Sequence, residues 1–175
     1  DTGLFNYEEA ERSAGWVREL EGEHTPETEE YGISSFVYHA RPPFDAEKLW
    51  ELLGDSDFWE DVLRSKGFFW VGPDQRAVYE FAQAGGVSDV KPIGFWWDSV
   101  PKEHWGHPEG EGPDMAESWD EHYGDRTQQL VFIGIGLDQE AITARLNDCL
   151  LADRPESLHD GTWEVLPNPF PPLHL

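Results

Sequence analysis

The chain has 175 residues, and 12 basic against 36 acidic side chains give it a formal net charge of −24. A surface that negative repels phosphate groups, which excludes sequence-independent nucleic-acid binding and disfavours binding to anionic membranes. Because 38% of the residues are hydrophobic and 14% aromatic, there is still ample material for a folded core, and the acidity does not indicate disorder.

The carboxylates are spread along the whole chain, which contains only four lysines. Dispersed acidity of this kind favours adaptation to high salt, where charge repulsion is screened, over a local acidic binding patch. Cys149 is the only cysteine, so there is no intrachain disulfide and no multi-cysteine zinc site. No apolar stretch approaches membrane-spanning length, and we expect a cytoplasmic protein.

The first predicted element is a helix that begins at the N-cap Asn6, with Glu9 completing a capping box, and continues to Leu20. Residues 22–30 are polar, contain a proline and read as a linker. We therefore expect a boundary here, with residues 1–25 forming a leading helix and linker and residues 26–175 forming the main domain.

The next elements are a strand over 33–40 and a helix that Asp45 caps and Gly54 ends. Three further strands are predicted over 68–71, 77–83 and 87–93, and the last two are joined by a glycine turn.

Residues 94–125 read as a long excursion that contains four tryptophans. The apolar segment 128–135 predicts a central strand, and Asp138 caps a second helix with Cys149 on its apolar stripe. The proline-rich tail from Gly161 is expected to run over the surface. This order predicts an α+β fold, with a mainly antiparallel sheet of about four to five strands and two helices packed on one face.

No motif for nucleotide binding or hydrolytic catalysis occurs, and we expect no catalytic residues in this chain. The best metal candidate is His104-x-x-His107, because imidazole and the nearby carboxylates suit zinc. The alternative is that these are solvated loop histidines. Glu103, Glu109, Glu111, Asp114 and His122 are the neighbouring candidates in this loop.

A short basic island, Arg64-Ser65-Lys66, precedes the aromatic run that ends at Trp70. One interpretation is a contact surface for an acidic partner or for a nucleotide on a neighbouring domain. The alternative is cross-strand pairing of the two cations with local carboxylates.

Several ordered motifs together resemble the C-terminal domain of the CobW family of GTP-dependent metal chaperones. They are Thr25 to Tyr38, Arg64 to Trp70, Gln83 to Gly86, Trp96-Trp97, Gly124-Asp125-Arg126, Leu130 to Gly134 and Cys149 to Leu151. The resemblance runs from about residue 25 to the end. Gly3-Leu4-Phe5 and the first helix also resemble the stretch that closes the family's GTPase domain.

The resemblance implies a non-catalytic regulatory and interaction domain of a metal chaperone. Its partners would be the GTPase domain, in cis or in trans, a client metalloprotein or another subunit, and Arg64, Lys66, Trp70 and Arg126 are the candidate interface residues. The family's P-loop and Cys-x-Cys-Cys motif belong to an N-terminal domain, so zinc and GTP are expected there and no cofactor in this chain. The alternative is a stand-alone metal-binding module that uses the loop 103–122 around His104 and His107.

Overall fold

The computed structural model describes residues 32–105 and 119–174. The predicted leading helix, the linker and the boundary near residue 25 lie outside these residues, as does His107. No helix in the described ranges is long and apolar enough to cross a membrane.

The elements follow the predicted order, and the second, third and fourth strands are longer than the sequence suggested. They are β1 (Ile33–Ala40), α1 (Ala46–Leu53), β2 (Val62–Val71), β3 (Asp74–Ala84), β4 (Val87–Phe95), β5 (Gln128–Ile135) and α2 (Gln139–Asn147), with short 3-10 turns at Trp97–Ser99, Lys102–His104 and Pro155–Leu158. The side chain of Asp45 accepts from the Lys48 N–H and that of Asp138 from the Ala141 N–H, so both predicted N-caps are confirmed.

The five strands form one sheet in the order β1-β5-β2-β3-β4, and every neighbouring pair is antiparallel. β5 lies between β1 and β2, which confirms the prediction of a central strand. A bulge interrupts β2 between Val62 and Arg64, and leaves Leu63 as an extra residue beside Arg64. The predicted α+β class is therefore confirmed.

Both helices cover the same face of the sheet, here called the helix face. Leu49 of α1 and Leu146 of α2 are fully buried in one apolar cluster with Phe69 and Phe132 from the strands. Cys149, just past the end of α2, is buried in the same cluster. This core joins the two helices to one face of the sheet and leaves the opposite face to other elements.

The opposite face, here called the loop face, carries Phe68 and Trp70 of β2. These side chains pack with residues from the connections rather than with a helix. The members of this second core are Phe68, Trp70, Val78, Trp96, Tyr123, Leu158 and Trp163. The long excursion and the tail therefore contribute directly to the folded core.

The tail is the main point on which the sequence prediction was wrong. It does not only run over the surface, because Trp163 is buried on the loop face and Phe170 on the helix face. Trp163 lies against the β2–β3 turn, where a Cβ on Gly72 would be 3.2 Å from the Cβ of Trp163. The tail therefore clasps the sheet from both sides at this turn.

Candidate functional site

The two cations of the predicted basic island lie within β2. Side chains alternate along a strand, so Arg64 and Lys66 share the loop face with Phe68 and Trp70. Arg64 is exposed and Lys66 is half-buried. The sequence prediction missed that this segment is a strand, because its polar residues interrupt the apolar pattern that follows.

The directly opposite neighbours of these cations carry no charge. Arg64 faces Ile133 on β5 and Ala84 on β3, whereas Lys66 faces Val131 and Ala82. Among the residues that the structure describes, neither cation forms an ion pair. The ion pairs described elsewhere are Lys91–Glu80, Arg126–Asp98, Arg145–Asp55 and Arg154–Glu156. Cross-strand pairing with local carboxylates is therefore not what the described residues show.

Exposed apolar side chains surround the two cations at this end of the sheet. Leu63 is the bulge residue next to Arg64, Val87 faces Ala84 across the β3–β4 pair, and Ile135 follows Ile133 on the same side of β5. All three are among the large exposed hydrophobic residues. We call the set Arg64, Lys66, Leu63, Val87, Ile133 and Ile135 the basic–apolar surface.

The other two predicted interface residues, Trp70 and Arg126, lie in the interior. Trp70 has no exposed surface and Arg126 is only 4% exposed. The guanidinium of Arg126 lies 5.6 Å from the centre of the Trp70 ring, and its Nε donates to the Gln75 carbonyl at 2.8 Å. It also pairs with Asp98. Because both side chains are buried, they can influence an interface only by positioning the segments packed against them. Their contribution to an interface stays a prediction.

The neighbouring motif residues Gly124 and Asp125 hold the ends of the excursion together. The Asp125 carboxylate accepts from the backbone N–H groups of Trp97 at 2.9 Å and Asp98 at 3.0 Å. Burial raises the pKa of the Asp125 carboxyl, although these two hydrogen bonds and Arg126 oppose the shift. Gly124 has a φ of 64° and packs against Asp98, so a side chain there would be strained and would collide.

The predicted metal site is only partly within the described residues. His104 is exposed in a 3-10 turn, and His107 lies outside the described ranges. Within residues 32–105 and 119–174, no group of three or more His, Cys, Asp or Glu side chains could hold a metal ion. The rings of Trp97, Trp105 and Trp119 lie next to one another near His104, with centroids 5.5 and 6.1 Å apart. Binding of zinc by His104 and His107 stays a prediction.

The five-stranded antiparallel sheet with two helices on one face makes this chain an α+β domain. The model of the cobalamin synthesis protein cobW C-terminal domain matches residues 33–150, and the chain belongs to this family.

Two known proteins are similar to the chain. Zinc-regulated GTPase metalloprotein activator 1 of Dictyostelium discoideum is 36% identical over 172 residues, which are 97% of this chain and 36% of the relative. The crystal structure of Zn(II)-bound YjiA GTPase from E. coli has the same fold over 74% of this chain and 33% of its own, with a TM-score of 0.50 and 19% identity. The chain therefore spans about a third of the length of these proteins.

Proposed function

We propose that this chain is a non-catalytic interaction domain of a CobW-like, GTP-dependent zinc chaperone, and that it contacts the GTPase part of that protein or a client metalloprotein. Membership of the cobW C-terminal family and the similarity to a zinc-regulated GTPase metalloprotein activator support this role. GTP hydrolysis and the main zinc site would then belong to the part of the protein outside this chain. The buried free thiol of Cys149 is compatible with action in the cytoplasm.

The observation that carries the proposal is the basic–apolar surface. In a chain with 36 carboxylates, Arg64 and Lys66 lie side by side on one sheet face without an ion pair among the described residues. An acidic partner could neutralise both cations at little cost, because no salt bridge among the described residues has to be broken first. The apolar residues around them would provide the buried area that such a contact needs.

The same surface also explains how an acidic domain could bind selectively. Most of the chain repels acidic proteins, so an acidic partner is favoured in an orientation that brings it against the adjacent cations Arg64 and Lys66. Electrostatic complementarity of this kind mainly sets orientation and association rate. We therefore expect binding that weakens as salt increases.

The test is a titration of this chain with the separately expressed GTPase part of a CobW-like protein that carries this domain, over a series of KCl concentrations. The double variant R64Q/K66Q should weaken binding about tenfold, since two exposed charge contacts together contribute roughly 1.4 kcal/mol. The matched control K48Q/R154Q removes two cations elsewhere and should change the affinity less than twofold. Equal affinity of R64Q/K66Q and wild type would refute the proposed surface.

A further inference from the structure

The strand β1 forms one edge of the sheet, and its outward-pointing backbone groups can be identified. The Gly136 N–H donates to the Gly32 carbonyl at 3.3 Å, and residue 32 faces residue 136 in the β1–β5 register. In an antiparallel pair every second residue bonds to the neighbouring strand, so the even-numbered residues of β1 bond to β5. The N–H and C=O groups of Ile33, Ser35 and Val37 therefore point away from the sheet. None of the described residues pairs with these three.

The side chains of β1 do nothing to protect this edge. Its sequence, Ile-Ser-Ser-Phe-Val-Tyr-His-Ala, contains no Asp, Glu, Lys, Arg or Pro, although 27% of the chain is charged. The opposite edge strand, β4, contains Asp89, Lys91 and Pro92. Charges and proline are the usual means by which proteins stop an edge strand from pairing with another chain. β4 is therefore protected by its own residues, whereas β1 has no such residues.

We propose that β1 pairs antiparallel with β1 of a second copy of this chain, which would join two five-stranded sheets into one. With Ser35 on the twofold axis, Ile33 lies opposite Val37 of the partner subunit, and Val37 lies opposite Ile33 of the partner subunit. All outward groups of Ile33, Ser35 and Val37 are then hydrogen-bonded, and two apolar cross-strand pairs form. Because β1 contains no Asp, Glu, Lys or Arg, the pairing of the two β1 strands places no charged residue opposite another.

Charge also favours this edge as the place where two copies meet. Each chain carries a net charge of −24, so two copies repel one another over most of their surface. β1 carries none of that charge, and at about 1 M KCl the screening length falls to roughly 3 Å. Pairing should therefore strengthen with salt. Binding of an acidic partner to the basic–apolar surface should instead weaken as salt increases. The two proposals therefore predict opposite effects of salt, and either can be refuted without the other.

The first test is sedimentation equilibrium of the whole chain up to several hundred micromolar, at low and at high KCl. We expect a monomer–dimer equilibrium whose dissociation constant falls as KCl increases. Ser35→Pro removes only an N–H that points outward, and Ser35→Lys introduces a charge at the same place. Each should raise the dissociation constant at least tenfold.

Ser88→Lys is the matched control, because it places the same charge on the exposed edge strand β4 and should change dimerisation less than twofold. Far-UV circular dichroism and thermal melting show whether each variant is folded. If Ser35→Pro does not fold, Ser35→Lys decides the result. A monomeric wild type at high KCl, or a dimer that S35K leaves intact, would overturn the proposal.

A cross-link tests the register directly. Cys149 is buried, so Ser35→Cys introduces the accessible thiol among the described residues. Directly paired residues on a twofold axis are close enough for a disulfide. Mild oxidation should therefore give a covalent dimer of S35C but not of Ser88→Cys. Equal cross-linking of both variants would show random collision and would overturn the assigned register.

Discussion

Replacing Phe170 with alanine tests whether the tail is part of the folded core. The Phe170 ring is 4% exposed and lies 5.3 Å from Phe69, 5.4 Å from Trp50 and 5.7 Å from Tyr79, measured between ring centres. The tail is held in place by Asn168, whose side chain donates to the Tyr79 hydroxyl and accepts from the Phe170 N–H.

The expected loss follows from the buried area. An aromatic side chain buries at least about 150 Å², which at about 25 cal/mol per Å² is worth roughly 4 kcal/mol. Alanine keeps part of this contribution, so we expect Phe170→Ala to lower the free energy of unfolding by about 3 kcal/mol. That is a large share of the stability of an ordinary domain.

The measurement is urea unfolding at constant high KCl, followed by tryptophan fluorescence and circular dichroism. Val165→Ala is the control, since Val165 belongs to the same tail but is 82% exposed, and its loss should stay within about 0.5 kcal/mol. A loss below about 1 kcal/mol for Phe170→Ala, or an equal loss for Val165→Ala, would refute the idea that the tail clasps the sheet.

Three further predictions concern salt, pH and zinc. If the dispersed carboxylates reflect adaptation to salt, the melting temperature should rise by several degrees or more as KCl increases, and a melting temperature independent of KCl would contradict this. Burial raises the pKa of the Cys149 thiol from 9.0 to about 11. Between pH 9 and pH 11 the thiol loses its proton in the unfolded chain but keeps it in the folded chain. The free energy of unfolding should therefore fall by up to about 3 kcal/mol as pH rises through this range. Cys149→Ala should remove this part of the pH dependence. The metal-binding alternative predicts stoichiometric zinc uptake at high salt that His104→Ala with His107→Ala abolishes, whereas the interaction role predicts no tight uptake by this chain.

Elements with a clear apolar pattern could be predicted from the sequence. β1 and β5 have the bounds that were expected, and the caps at Asp45 and Asp138 form as predicted. In these segments the local pattern and the tertiary structure agree, because one face of each element enters the same core.

The other features of the fold depend on contacts between residues far apart in sequence, which local sequence patterns do not predict. β2 begins earlier than predicted because Arg64 and Lys66 are held in the strand by pairing with β3 and β5. Arg126 looked like a surface cation, but its guanidinium lies against the Trp70 ring and pairs with Asp98, residues that are far from it in sequence. Trp163 and Phe170 lie in a proline-rich tail that has no regular apolar pattern. Their burial, in the loop-face core and the helix-face core respectively, becomes visible only in the folded structure.

The position of β5 has a consequence for the order in which the chain can fold. β2, β3 and β4 follow one another through short turns and can pair as soon as they are synthesised, but β1 has no partner among them. It joins the sheet only through β5, which arrives after residues 96–127. Pairing of β1 therefore depends on contacts between segments far apart in sequence, and we expect it to form later than the pairing of β2, β3 and β4. Among the five strands of this sheet, β1 is synthesised first and would then be paired last, so its uncharged edge would stay open to other chains in the meantime.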